Sequence, residues 1–106
     1  MPKYLIIANY SADGAKGVLA KGGSARKEAV AAGLAEMGGS LEAFYFAFGA
    51  DDAFVVADLP DNVAAAALGL QVGASGMASV RTVVLLTPEE VDAAAQVPGA
   101  YRAPGS

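Results

Sequence analysis

Residues 41–59 read LEAFYFAFGADDAFVVADL. Two short runs, 41–48 and 53–59, are rich in the aromatic and β-branched residues that suit a pleated sheet, and only Gly49-Ala50-Asp51-Asp52 separates them. The stretch therefore predicts an antiparallel hairpin. With Ala50 and Asp51 at the tip, residue 43 stands opposite residue 58, and Tyr45 and Asp58 become diagonal neighbours on one face. Such a phenol and carboxylate, among Leu41, Ala43 and Val56, are candidate acid/base partners at the mouth of a pocket.

Upstream of the hairpin, KYLIIANY (3–10) reads as a strand buried on both faces. A helical region follows in two parts, 13–20 and 25–37, divided at Lys21-Gly22-Gly23. Ser24 is the expected N-cap of the second part, and Val30, Gly33, Leu34 and Met37 lie on one helical face. Downstream, Asp61 is the expected N-cap of a helix to about residue 73, with Val63, Ala66, Ala67 and Leu70 as its core stripe. ASVRTVVLL (78–86) reads as a fourth strand. Thr87-Pro88-Glu89-Glu90 carries the threonine, proline and glutamate of a capping box and predicts a short last helix to about Gln96.

The order is thus βαββαβ plus a terminal helix, an α+β, ferredoxin-like arrangement with a four-stranded antiparallel sheet. Residues 1–96 form one domain and 97–106 a tail without a core of its own. Helices cover one face of such a sheet, yet the strands are apolar on both. An uncovered apolar face of that size calls for a partner, and a second copy of the same sheet is the simplest.

Composition narrows the chemistry. The 106 residues are 55% hydrophobic, enough for one two-layer core. Eleven acids against seven bases give a net charge of -4, which argues against a sequence-independent grip on nucleic acid or on an anionic membrane surface and favours neutral molecules or other chains. The absence of cysteine and histidine removes the thiolate nucleophile, the sulfur zinc site, the usual proximal haem ligand and the commonest general base. No metal and no cofactor is expected. The first residues lack a charged leader followed by an apolar core, so a cytoplasmic location is the default.

The strings KGGSARKEAV, GGSLEAFYFAFG, VADLPD, AAAAL and LLTPEEVDAA, in that order, resemble the GYD domain family over about residues 3–95. The resemblance implies a ferredoxin-like fold of the dimeric α/β-barrel superfamily, with two sheets packed face to face. The Gly, Tyr and Asp that name the family correspond to Gly49-Ala50-Asp51-Asp52, with Asp51 where the tyrosine is expected. This points to a conformational role for Gly49 and Asp52. The family implies no settled activity.

Three classes of function follow. The first is a small-molecule-binding domain, acting as a homodimer or higher oligomer and taking a neutral or apolar molecule between sheet and helices, with Tyr4, Asn9, Phe44, Phe46 and Arg81 as candidate binding residues beside Tyr45 and Asp58. The second is a cofactor-independent monooxygenase- or isomerase-like enzyme using Tyr45 and Asp58. The third is a purely structural assembly. Separately, Lys21, Gly22, Gly23, Ser24 and Arg26 resemble an anion cradle of glycine amides, a hydroxyl and two cations at a helix start. Arg81 is expected to reach Glu42 or a partner's carboxylate.

Overall fold

A computed structural model describes residues 1–106 and shows eight elements: β1 (Lys3–Tyr10), α1 (Ala12–Lys21), α2 (Gly23–Glu36), β2 (Ser40–Phe46), β3 (Ala53–Asp58), α3 (Asn62–Ser75), β4 (Ala78–Leu85) and α4 (Pro88–Ala95). The strands form one sheet in the order β2-β3-β1-β4, with every neighbouring pair antiparallel. The ferredoxin-like order expected from the sequence is the one observed. No helix is long and apolar enough to cross a membrane.

Strand alternation divides the side chains between two faces. On one, Tyr4, Ile6, Val55 and Ala57 pack against Leu34 of α2 and Ala65 of α3 to form the core. Tyr4 is 1% exposed, and its hydroxyl donates to Asn62 Oδ1 at 2.7 Å, so the phenol is satisfied at the first turn of α3. Full burial of a side chain such as Leu34 or Leu59 contributes about 1.5–3 kcal/mol. The opposite face carries no helix.

Three glycines are required by close approach, among them Gly39, where a Cβ would run into the carbonyl of Asp58. A Cβ at Gly14 would run into the carbonyl of Met77, which accepts from both the amide and the hydroxyl of Ser11 at 2.9 and 3.1 Å. The start of α1 is thereby tied to the start of β4. A Cβ at Gly23 would lie 2.8 Å from the ring of Phe46.

Four local expectations are corrected. Ser24 is not the N-cap of α2: Gly22, at φ +86°, closes α1 and opens α2, which starts two residues earlier. The core stripe of α3 is centred on Ala65 and Leu68, while Val63 and Leu70 are exposed. With alanine or another apolar residue at most positions, that helix has no clear apolar face, so its phase is set by the Asp61 cap and the sheet. The β2–β3 register is also displaced. Ser40 rather than Ala43 faces Asp58, Tyr45 faces Phe54, and a bulge between Leu41 and Ala43 leaves Glu42 as the extra residue. Finally, Glu42 is held by Lys3, and Arg81 reaches Asp51 instead.

The last helix is an outlier. α4 has the full capping box, with Thr87 and Glu90 bonded reciprocally at 3.0 and 3.1 Å, yet none of its residues is buried and no other element packs substantially against it. Residues 97–106 are exposed and add no helix or strand. The molecule spans 56 × 33 × 23 Å.

Candidate functional site

The sheet's helix-covered face is lined by small side chains where β1, β3 and β4 run side by side. Ala8 pairs with Ala53 on one side and Val80 on the other, and Tyr10 pairs with Ala78. Above them, α2 presents Ala29 and Gly33, and a Cβ built at Gly33 would meet nothing within 4 Å. Small residues on both layers leave a hollow between the sheet and helices α2 and α3. Its volume is about 390 Å³, within the range of small-ligand sites, and 14 of its 18 lining residues are hydrophobic.

Three polar side chains break this lining, Arg26, Glu36 and Gln71, and Tyr10 adds a hydroxyl to its apolar ring. Arg26 stands in the first turn of α2, its guanidinium carbon 6.0 Å from the centre of the Tyr10 ring. It makes no ion pair within the chain, and its Nε is buried without an acceptor. A buried donor left unpaired costs on the order of 1–3 kcal/mol, and the guanidinium carries its full charge beside the cavity with no acid to neutralise it. Glu36 is in the last turn of the same helix, roughly 15 Å away by the helical rise. A second hollow of about 360 Å³ lies between α1 and α2, and Tyr10, Ala29 and Arg26 line both.

The residues singled out from the sequence are spread over several places. Tyr4 is core, and Phe44 lines the cavity. Phe46 packs on Phe44, ring centres 5.0 Å apart, near the start of α2. Tyr45 and Asp58 are not brought together: they share the open face, but the pair Ala43 and Val56 stands between them, and Asp58 accepts from Lys3 Nζ at 3.0 Å. Asn9 and Arg81 also lie on the open face, both donating to Asp51, at 3.0 and 3.2 Å. Of the glycine-rich segment, Lys21, Gly22 and Arg26 line the hollow between α1 and α2, whereas Gly23 and Ser24 do not.

The carboxylates of the hairpin loop have separate duties. Asp52 accepts from the amide of Tyr10 at 2.9 Å, and its own amide donates to Ala8, so it ties the loop to the end of β1. Gly49 adopts φ +146°. Both therefore serve the shape of the loop, and Asp51 bridges to β1 and β4. Lys3, the third member of a cluster with Asp58 and Glu42, has its pKa raised above the usual 10.5, chiefly by its hydrogen bond to Asp58 and then by that to Glu42.

Tyr10, Glu36 and Gln71 were not among the residues picked out from the sequence, nor were the alanines that create the space. Tyr10 ends its strand beside Asn9 without a motif, and an alanine leaves a hollow only when the layer above is also small. A usable signal was the pair Ala29 and Gly33, which puts two small residues one turn apart along the side of α2 that borders the cavity.

A family model for the GYD domain matches residues 4–95, nearly the whole of the folded region. No curated protein and no solved structure matches the chain at a significant level. The matched span begins in β1 and ends with α4, and it includes both walls of the cavity and the hairpin with Gly49 and Asp52. On that match and on the ferredoxin-like order of its strands, the chain belongs to the GYD domain family.

Proposed function

We propose that the protein binds a small, largely apolar molecule in the cavity between the sheet and helices α2 and α3, and that it does so as a homodimer or larger homo-oligomer. The cavity carries this reading: a filled core would have placed larger side chains at Ala8, Ala53, Ala29 and Gly33. Binding in an apolar hollow draws its free energy from the surface the ligand removes from water. A weak apolar probe, 1-octanol, followed through the amide resonances of Ala29 and Val30, tests it. Gly33→Leu adds a side chain where the glycine leaves open space and suits the helix better. This variant is expected to lose binding by at least about tenfold while keeping or raising its unfolding midpoint. Undiminished binding would show that the probe sits elsewhere.

The oligomer is supported by the open face. Leu5, Phe54, Val56, Tyr45 and Val83 form an apolar band there around the buried Ile7, with Tyr45 70% exposed. Polar clusters close it at both ends, Lys3 with Asp58 and Glu42 at one and Asp51 with Asn9 and Arg81 at the other. An apolar centre with a polar rim is the anatomy of an interface. The chain exposes 7088 Å², against about 5,400 Å² expected for a compact monomer of its mass, an excess to which the fully exposed α4 and residues 97–106 also contribute. An enzymatic reading based on Tyr45 and Asp58 loses its geometric support, because the register keeps the two apart.

A further inference from the structure

We infer that the cavity's ligand is a monocarboxylate with a slender apolar body, its carboxylate held by Arg26 and its body lying toward Val30, Leu34 and Val55. The inference rests on the cavity being a binding site and adds the chemical class of its occupant.

The chain has few candidates for an anion anchor. Lys3 and Arg81 are committed to Asp58, Glu42 and Asp51 on the far side of the sheet. Lys16, Lys21, Lys27 and Arg102 are exposed, where water satisfies a cation at no cost. Arg26 alone is a cation that lines the apolar cavity, is half-buried, lacks an acidic partner and has a buried Nε without an acceptor. The two terminal nitrogens of a guanidinium lie side by side, a spacing that matches the two oxygens of a carboxylate.

The surroundings favour an anion at this end and oppose it at the other. Arg26 lies in the first turn of α2, where the helix dipole is positive. The face of Tyr10 beside it supports the cation without neutralising it. The C-terminal end of the same helix, where the exposed Glu36 stands, is the negative end of the dipole, so a carboxylate is favoured at the Arg26 end. Between the two the lining is apolar, and the roughly 15 Å separation accommodates a chain of about eight carbons. The overall charge of -4 does not contradict this, since a partly buried cation acts at contact distance whereas exposed charges beyond about 10 Å are screened by salt.

The test compares sodium octanoate, 1-octanol and inorganic phosphate on the full chain by titration of amide resonances, with Arg26→Gln alongside the native sequence. Octanoate is expected to bind at least as tightly as octanol, and phosphate not to compete with it. Arg26→Gln should weaken octanoate by about tenfold or more while leaving octanol within about threefold. If both octanoate and octanol bind but the substitution weakens neither selectively, the head-group assignment is overturned and the cavity reading stands. If phosphate displaces octanoate, Arg26 belongs to a simple anion site and the assignment is again overturned. If neither octanoate nor octanol binds, the cavity reading fails and the inference with it.

Discussion

Lys3 illustrates how single residues are set by the sheet rather than by their neighbours in sequence. Its ammonium meets Asp58 at 3.0 Å and Glu42 at 3.1 Å, carboxylates brought alongside only when β1, β3 and β2 align. These bonds favour the protonated amine and raise its pKa above 10.5 in the folded state. By linkage, the stability they supply is fully present below the unfolded value and is lost as pH rises through the folded one. Urea melts of the native protein and of Lys3→Met across pH 9–11.5 should therefore converge at the alkaline end, with the native advantage confined to lower pH. A constant difference over that range would show that the lysine acts through its aliphatic stem alone. Asp58, which the sequence suggested as an acid/base partner for Tyr45, is occupied by this contact.

Among the elements, the two best-capped helices provide a contrast. Asp61 accepts from the amide of Ala64 at 2.9 Å and starts α3, which packs on β4 and contributes Ala65 to the core. Thr87 starts α4 with a complete capping box, but α4 buries nothing. Asp61→Ala should lower global stability by about 1 kcal/mol, seen as a shift in the urea midpoint. Thr87→Ala should melt α4, seen in the chemical shifts of residues 88–95, and leave the midpoint of the isolated chain unchanged. An isolated helix of eight residues is too short to hold itself in water, so its cap governs only its own local equilibrium. Both caps were legible in the sequence because an N-cap is a local signal. The phase of α3 was not, because its face is chosen by the sheet it meets.

At the scale of the whole molecule, the excess of exposed surface and the apolar band on the open face belong to one question. A stable pairing buries about 1,200–2,000 Å² in total, and the band with its polar ends is the surface suited to supply it. Val83→Asp places a charge at the β4 edge of that band without touching the helix-covered core. Light scattering at micromolar concentration is expected to show an assembly for the native chain and a monomer of about 10.5 kDa for the variant. A monomer in both cases would overturn the proposed dimer.

The sequence by itself determined the element order, the element boundaries to within two residues, the caps at Asp61 and Thr87, the hairpin and the ferredoxin-like class. These follow from short-range patterns of hydrophobicity, turn chemistry and capping, each contained within a few consecutive residues. Only the tertiary structure decided the register of β2 on β3, in which Tyr45 faces Phe54 rather than Val56, an offset of two residues that, with the further bulge at Glu42, separates Tyr45 from Asp58. It alone decided which cations are neutralised, since Lys3 and Arg81 find acids on distant strands while Arg26 finds none. The cavity too is a product of assembly: Ala8, Ala53, Ala29 and Gly33 are unremarkable in the chain, and become a site because two layers set their missing side chains against one another.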